Sequence, residues 1–198
     1  MLRDYLQGLG HEVLLTLEPG GSRLGAELRR MLLSMENMDL SREAELFLYL
    51  ADRAQHVRKV ILPAIKTGKI VISDRFADST VVYQGYGRGM DPEVLHEMNL
   101  LAVDGIWPDI TYLLDLPPEI GLKRAVQRNT ETNLTRAEGR FEAEAMDFHA
   151  RVRRGYLDWA SRNKERFVLV SALKDEAGVF AAIRYEIDCF LKKMKKID

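Results

Sequence analysis

The sequence predicts an α/β fold, a parallel sheet covered by helices on both faces in three layers, and three observations lead there. Four short apolar runs, "EVLLTLE" at 12–18, "KIVISDR" at 69–75, "ITYLLDL" at 110–116 and "RFVLVSA" at 166–172, lie far apart along the chain. Between them apolar residues recur at three- and four-residue steps, the period of an amphipathic helix. Runs without polar alternation suit strands buried on both faces, and parallel neighbours require long crossovers that helices usually supply. At 198 residues, 46% hydrophobic and 30% charged, the chain suits one domain, residues 1–198.

The elements follow in order. "MLRDYLQGLGHEV" is an amphipathic segment ahead of the first strand, and "EPGGS" at 18–22 is a glycine turn leading to a helix that begins near Ser22. Ser41 precedes a long helix from Glu43 to Lys66, where Phe47, Leu50, Ala54, Val57 and Ile61 share a face and Pro63 marks a kink or end. Gly68 restarts the chain as a strand. Asp91 is the expected N-cap and Pro92 the first residue of a helix over 91–104. Helices at 118–128, 141–163 and 175–196 complete the set.

Composition excludes several functions. A formal net charge of −1 gives no global positive field for duplex nucleic acid, so a small anion is the expected partner. The apolar runs are too short to span a bilayer and the N-terminus has no signal-peptide pattern, so the expectation is a cytoplasmic protein without a membrane partner. Cys189, the single cysteine, reads as a small apolar residue; His11, His56, His96 and His149 show no metal-ligand spacing.

Ligands of open parallel sheets bind beyond the carboxyl ends of the strands. Those ends carry "EPGG", "DRFADS" and "DLPPE". Asp74 and Arg75 leave the second strand together, and the planar fork of arginine suits phosphate oxygens. Ser79, Thr80, Tyr83 and Gln84 follow with hydroxyl and amide groups able to read a base edge, and "GYGRG" adds a loop with Arg88. Tyr49 and Arg53 stand one helical turn apart, so a ring and a guanidinium could meet the base and the phosphate of one nucleotide. Each feature alone fits a surface turn or core contact as well; their combination points to a small nucleotide. The segment 128–142, with Arg128, Arg136 and Arg140, is a polar loop able to close over phosphates.

These stretches resemble bacterial thymidylate kinases, nucleoside monophosphate kinases of the P-loop class. "TLEPGGSRLGAELR" resembles the family's TREPGGT segment, "LFLYLADRAQHV" its nucleotide-binding helix, "DRFADSTVVYQGYGRG" its DR-x-x-x-S-x-x-AYQG signature, and "GRFEAEAMDFHARVRRGY" its lid and following helix. The resemblance implies transfer of the ATP γ-phosphoryl group to dTMP with Mg²⁺, in a homodimer. It implies that Glu18, Pro19 and Gly20 line the acceptor site and that Tyr49 stacks on thymine. Arg53 and Arg75 would hold the phosphate, and Ser79, Thr80, Tyr83 and Gln84 would surround the nucleoside. Asp74 would organise the phosphate and Mg²⁺ site, Glu142 would assist the lid, and Arg140, with Arg128 or Arg136, would stabilise the transferring group.

Four departures stand out: Leu17 for the usual Arg, Ser22 for Thr, Val82 for Ala, and a lid stretched by "NTETNLT". A larger one is that G-x-x-x-x-G-K-[ST] occurs nowhere in the 198 residues. The family carries that loop, with its amide cradle and Lys, on a central first strand. The expectation is a sheet lacking that strand and a chain impaired in turnover, with Met1 an internal methionine or a deletion upstream. Two other readings are a kinase for another deoxynucleoside monophosphate and a non-catalytic deoxynucleotide sensor or remnant.

Overall fold

The computed structural model describes residues 1–194. In chain order it has α1 (Leu2–Gly8), β1 (Val13–Leu17), α2 (Arg23–Leu33), α3 (Arg42–His56), α4 (Leu62–Lys66), β2 (Ile70–Asp74), α5 (Ala77–Thr80), α6 (Pro92–Val103), β3 (Thr111–Asp115), α7 (Pro118–Glu131), α8 (Thr135–Glu138), α9 (Met146–Arg162), β4 (Phe167–Ser171) and α10 (Glu176–Met194). All four expected strands form. Positions 195 and 196 of the expected last helix lie outside the described residues.

Capping residues explain the helix starts. Ser22 Oγ accepts from the Gly25 amide at 3.0 Å, Ser41 Oγ from Ala44 at 3.2 Å, and the Asp91 carboxylate from Glu93 at 2.9 Å ahead of Pro92. The long helix is not uniform: a π-helical turn over Val57–Ile61 separates α3 from α4. Pro63 follows that wide turn, which gives its ring room where the preceding carbonyl would otherwise clash. A second π-helical stretch, Val81–Gly87, carries Tyr83 and Gln84. The helix expected from 141 starts only at Met146, because turns over 139–144 intervene.

The four strands form two parallel pairs. β1 pairs with β2, from Val13 with Ile70 to Leu17 with Asp74, and β3 with β4, from Thr111 with Phe167 to Asp115 with Ser171. Among the described residues no ladder joins the pairs. Side chains do so instead. Asp78 in α5 accepts from Trp159 Nε1 at 2.8 Å and from Arg166 Nη2 at 2.6 Å, and Arg166 Nη1 donates to Thr111 Oγ1 at 3.3 Å.

The main core surrounds the second π-helical stretch: Val81, Val82 and Leu95 pack with Leu46, Phe148, Val152 and Trp159. Its contact with α9 requires glycine at 155, since a Cβ there would lie 2.5 Å from Tyr86 Cγ. The carboxyl ends of β1 and β2 are thereby set beside α3 and the 81–87 stretch.

Candidate functional site

At the end of β1 the backbone amide of Glu18 donates to the Asp74 carbonyl at 2.9 Å, so the two turns after β1 and β2 start side by side. The Glu18 side chain turns inward. Arg53 Nε donates to its Oε2 at 2.9 Å, and His56 Nδ1 lies 2.9 Å from Oε1. Arg53 Nη1 donates to Thr80 Oγ1 at 2.9 Å and Asn99 Oδ1 at 2.7 Å, while His56 Nε2 meets Thr16 Oγ1 at 2.7 Å. Arg53 is 1% exposed. Its guanidinium, expected from the resemblance to hold a phosphate, joins Glu18 after β1 to Thr80 in α5 and Asn99 in α6 in this structure. Gly21 lies directly over this network, where a Cβ would come within 2.3 Å of His56 Nε2.

Asp52 is the uncompensated member. Its Oδ1 accepts from the Gly20 amide at 3.2 Å, but Oδ2 is buried without a hydrogen-bond partner. Burial, and next the Glu18 carboxylate, push its pKa up to about 6. A carboxyl with a raised folded-state pKa stabilises the fold below its unfolded pKa and loses that contribution as pH rises through the folded one. Asp52→Asn keeps an acceptor for Gly20 and carries no charge. Its stability relative to the parent is expected to grow by about 1–2 kcal/mol between about pH 4.5 and 7.5, read by urea unfolding at each pH. A constant difference would contradict the assignment.

After β2 the chain turns through Arg75, which adopts a left-handed φ of 67°, uncommon for a side chain with a Cβ. Ser73 Oγ donates to the Arg75 carbonyl at 2.7 Å and closes this turn. Asp74 and Arg75 are both exposed at the strand end, and the Arg75 guanidinium lies 5.0 Å from the centroid of the Tyr83 ring. Tyr83 also meets Phe141, Phe148 and Tyr156 edge-on, and Ser79 Oγ shares a hydrogen bond of 2.8 Å with the Tyr156 hydroxyl. Tyr49 belongs to the same neighbourhood: burial, followed by the charge of Glu45, pushes its phenol above the usual range, while Arg75 and Arg140 oppose the shift.

Glu45 ties the base side together and sequence reasoning did not single it out. It is fully buried. Gln84 Nε2 donates to Oε1 at 2.8 Å, Arg88 Nη2 to Oε2 at 3.3 Å, and Arg140 Nη1 pairs with Oε2 at 2.6 Å. Arg140 is also bound by the carbonyls of Leu32 and Asn37, both at 3.1 Å. It is thus a buried clamp between α2, α3 and the 139–145 turns. Arg136 remains exposed and pairs with Glu36 at 2.7 Å; Arg128 is exposed, 3.8 Å from Glu142. Arg29 grips Glu138 with two nitrogens at 2.9 Å each and the Pro19 carbonyl at 2.9 Å, so the segment 128–142 is docked on α2 beside the EPGG turn.

The arrangement brings an exposed guanidinium, an aromatic cluster and a buried amide to the ends of two parallel strands. Comparisons with known proteins agree with it. A family model described as thymidylate kinase matches residues 1–183. The thymidylate kinase of Maridesulfovibrio salexigens is 59% identical over 186 residues, spanning 94% of this chain and 86% of that protein, and that of Oleidesulfovibrio alaskensis is 60% identical over 183 residues, spanning 92% and 86%. The crystal structure of thymidylate kinase from Ehrlichia chaffeensis superimposes with a TM-score of 0.74 at 30% identity, over 94% of this chain and 88% of that one. Identity of this degree along nearly the whole length, with the DR turn, YQG stretch and EPGG turn in place, shows that the chain belongs to the thymidylate kinase family.

Proposed function

We propose that the chain binds dTMP as the phosphoryl acceptor of an ATP-dependent transfer that yields dTDP, in the cytoplasm and as a homodimer. The observation that carries this reading is Arg75, exposed at the end of β2 on a left-handed turn, with its guanidinium over the ring of Tyr83 and near Tyr49. Arg75 binds the acceptor phosphate, Tyr49 stacks on the base, and Tyr83, Gln84, Ser79 and Thr80 wall the nucleoside. Pro19 and Gly20, held by Arg29 and Asp52, form the floor of the site. Transfer between two anionic phosphates depends mainly on neutralising and aligning charge, which is what such a site supplies. Exposed Phe47 on α3 and Leu101 on α6, helices that pack together, offer apolar surface to a second copy.

Asp74 is a single exposed carboxylate at a strand end, and no group of three or more His, Cys, Asp or Glu side chains able to hold a metal occurs among the described residues. This fits Mg²⁺ of the kind held by one or two carboxylates together with substrate phosphates. Mg²⁺ would neutralise phosphate charge there, with Asp74 as its protein ligand and Glu142 held back by Arg128. The 198 residues do not provide a triphosphate cradle, since no glycine-rich GK[ST] loop is present. We therefore assign the acceptor half of the reaction to these residues.

Calorimetric titration of the folded chain with dTMP, with dCMP as control and without ATP, tests the reading. Selective dTMP binding is expected. A folded chain that binds neither ligand removes the acceptor assignment.

A further inference from the structure

Gln84 is an amide whose two faces have opposite hydrogen-bonding character, an oxygen that only accepts and an NH₂ that only donates. In an open pocket the side chain can turn over and suit either kind of base edge. Here it cannot. Its Nε2 donates to Glu45 Oε1 at 2.8 Å, and both residues are buried, at 1% and 0% exposure. Glu45 itself is held by two cations, Arg140 at 2.6 Å and Arg88 at 3.3 Å, and Arg88 is in turn shared with Glu144 at 2.5 Å. Two guanidinium groups and the Gln84 amide all donate to the Glu45 carboxylate, whose oxygens serve here as acceptors. One N–H of Gln84 is therefore committed to Glu45, which fixes the orientation of the amide and turns its acceptor oxygen away from Glu45, toward a ligand.

From this we infer that Glu45 is a specificity-determining positioning residue: through the polarity it imposes on Gln84 it selects a pyrimidine whose N3 carries a proton. This rests on the proposed acceptor site. Thymine and uracil present N3–H, a donor that matches the oxygen. Cytosine presents a bare N3, a second acceptor that would face Gln84 Oε1 lone pair to lone pair in a dry site. Turning the amide to suit cytosine would set its oxygen against the Glu45 carboxylate, so the mismatch has no local relief. Arg88 and Arg140 act one step further back, by holding the Glu45 carboxylate in place.

The test compares dTMP with 5-methyl-dCMP, which has the same methyl group and phosphate but the opposite polarity at N3. In the parent chain, dTMP is expected to bind about a hundredfold more tightly. Glu45→Gln can accept or donate, freeing Gln84 to turn, and the ratio is expected to fall to about tenfold or less while dTMP still binds. Equal weakening of both ligands in Glu45→Gln overturns the inference. Should that variant fail to fold by circular dichroism, Gln84→Leu, which leaves both arginine pairs of Glu45 intact, answers in its place: a falling ratio supports the inference and an unchanged one overturns it. Failure of the parent chain to bind dTMP at all is a different result, and removes the acceptor site on which the inference stands.

Discussion

Arg53→Met is expected to lower the stability of the chain by about 3–5 kcal/mol, enough to unfold a marginal domain. The cause is what it leaves behind. Glu18, 3% exposed, loses the guanidinium that holds it at 2.9 Å, and Asp52 is already a buried carboxyl nearby with an unpartnered oxygen. Thr80 and Asn99 lose a shared donor at the same time. Removing one partner of a buried ion pair costs far more than the net worth of the pair, because the survivor keeps its desolvation without its compensation. The check is denaturant unfolding of Arg53→Met beside the double variant Arg53→Met with Glu18→Gln. Removing the stranded charge should restore about half of the loss or more. A double variant as unstable as the single one would assign the loss to the missing methylenes and hydrogen bonds instead.

The second large effect concerns binding. Arg75→Ala is expected to weaken dTMP by about 10- to 100-fold, the worth of a charge-assisted contact, while thymidine changes by less than about threefold. Arg75 makes no buried ion pair of the kind that fixes Arg53, and it stands exposed over Tyr83. Its loss should therefore leave the fold intact, and replacing a left-handed Arg with Ala keeps the same backbone demand. Titrating both ligands into both proteins gives the answer. Equal loss of dTMP and thymidine would place Arg75 against the nucleoside rather than the phosphate.

The contrast between the two arginines shows what sequence could and could not convey. Strands were legible because an apolar run bounded by Gly, Pro or charge has few other uses, and helix starts because Ser22, Ser41 and Asp91 cap in a recognisable way. Arg53 and Arg140 were legible as arginines near a nucleotide site but not as buried ones, since burial is decided by Glu18, Asn99 and Glu45, which arrive from other elements. A signal for Glu45 was nonetheless present: Glu45, Tyr49 and Arg53 follow at four-residue steps, so one face of α3 carries a polar stripe. Asp52 and His56 repeat that spacing. A polar stripe on a helix that also has a full apolar face calls for buried partners. Asp78 was beyond reach, because its partners Trp159 and Arg166 come from distant parts of the chain.

The division of the strands into two pairs also bears on how molecules of this chain meet one another. A pair of parallel strands has two bare edges, and two pairs have four, each a row of backbone donors and acceptors that nothing in the pair itself can satisfy. Leu15 and Leu17 on β1, Leu114 on β3 and Leu169 on β4 are exposed as well. An unsatisfied edge next to apolar surface is a template, and it is indifferent to whether the strand that fills it is internal or belongs to a neighbour. Exposed leucines beside the bare edges are thus the places at which a neighbouring strand can pair.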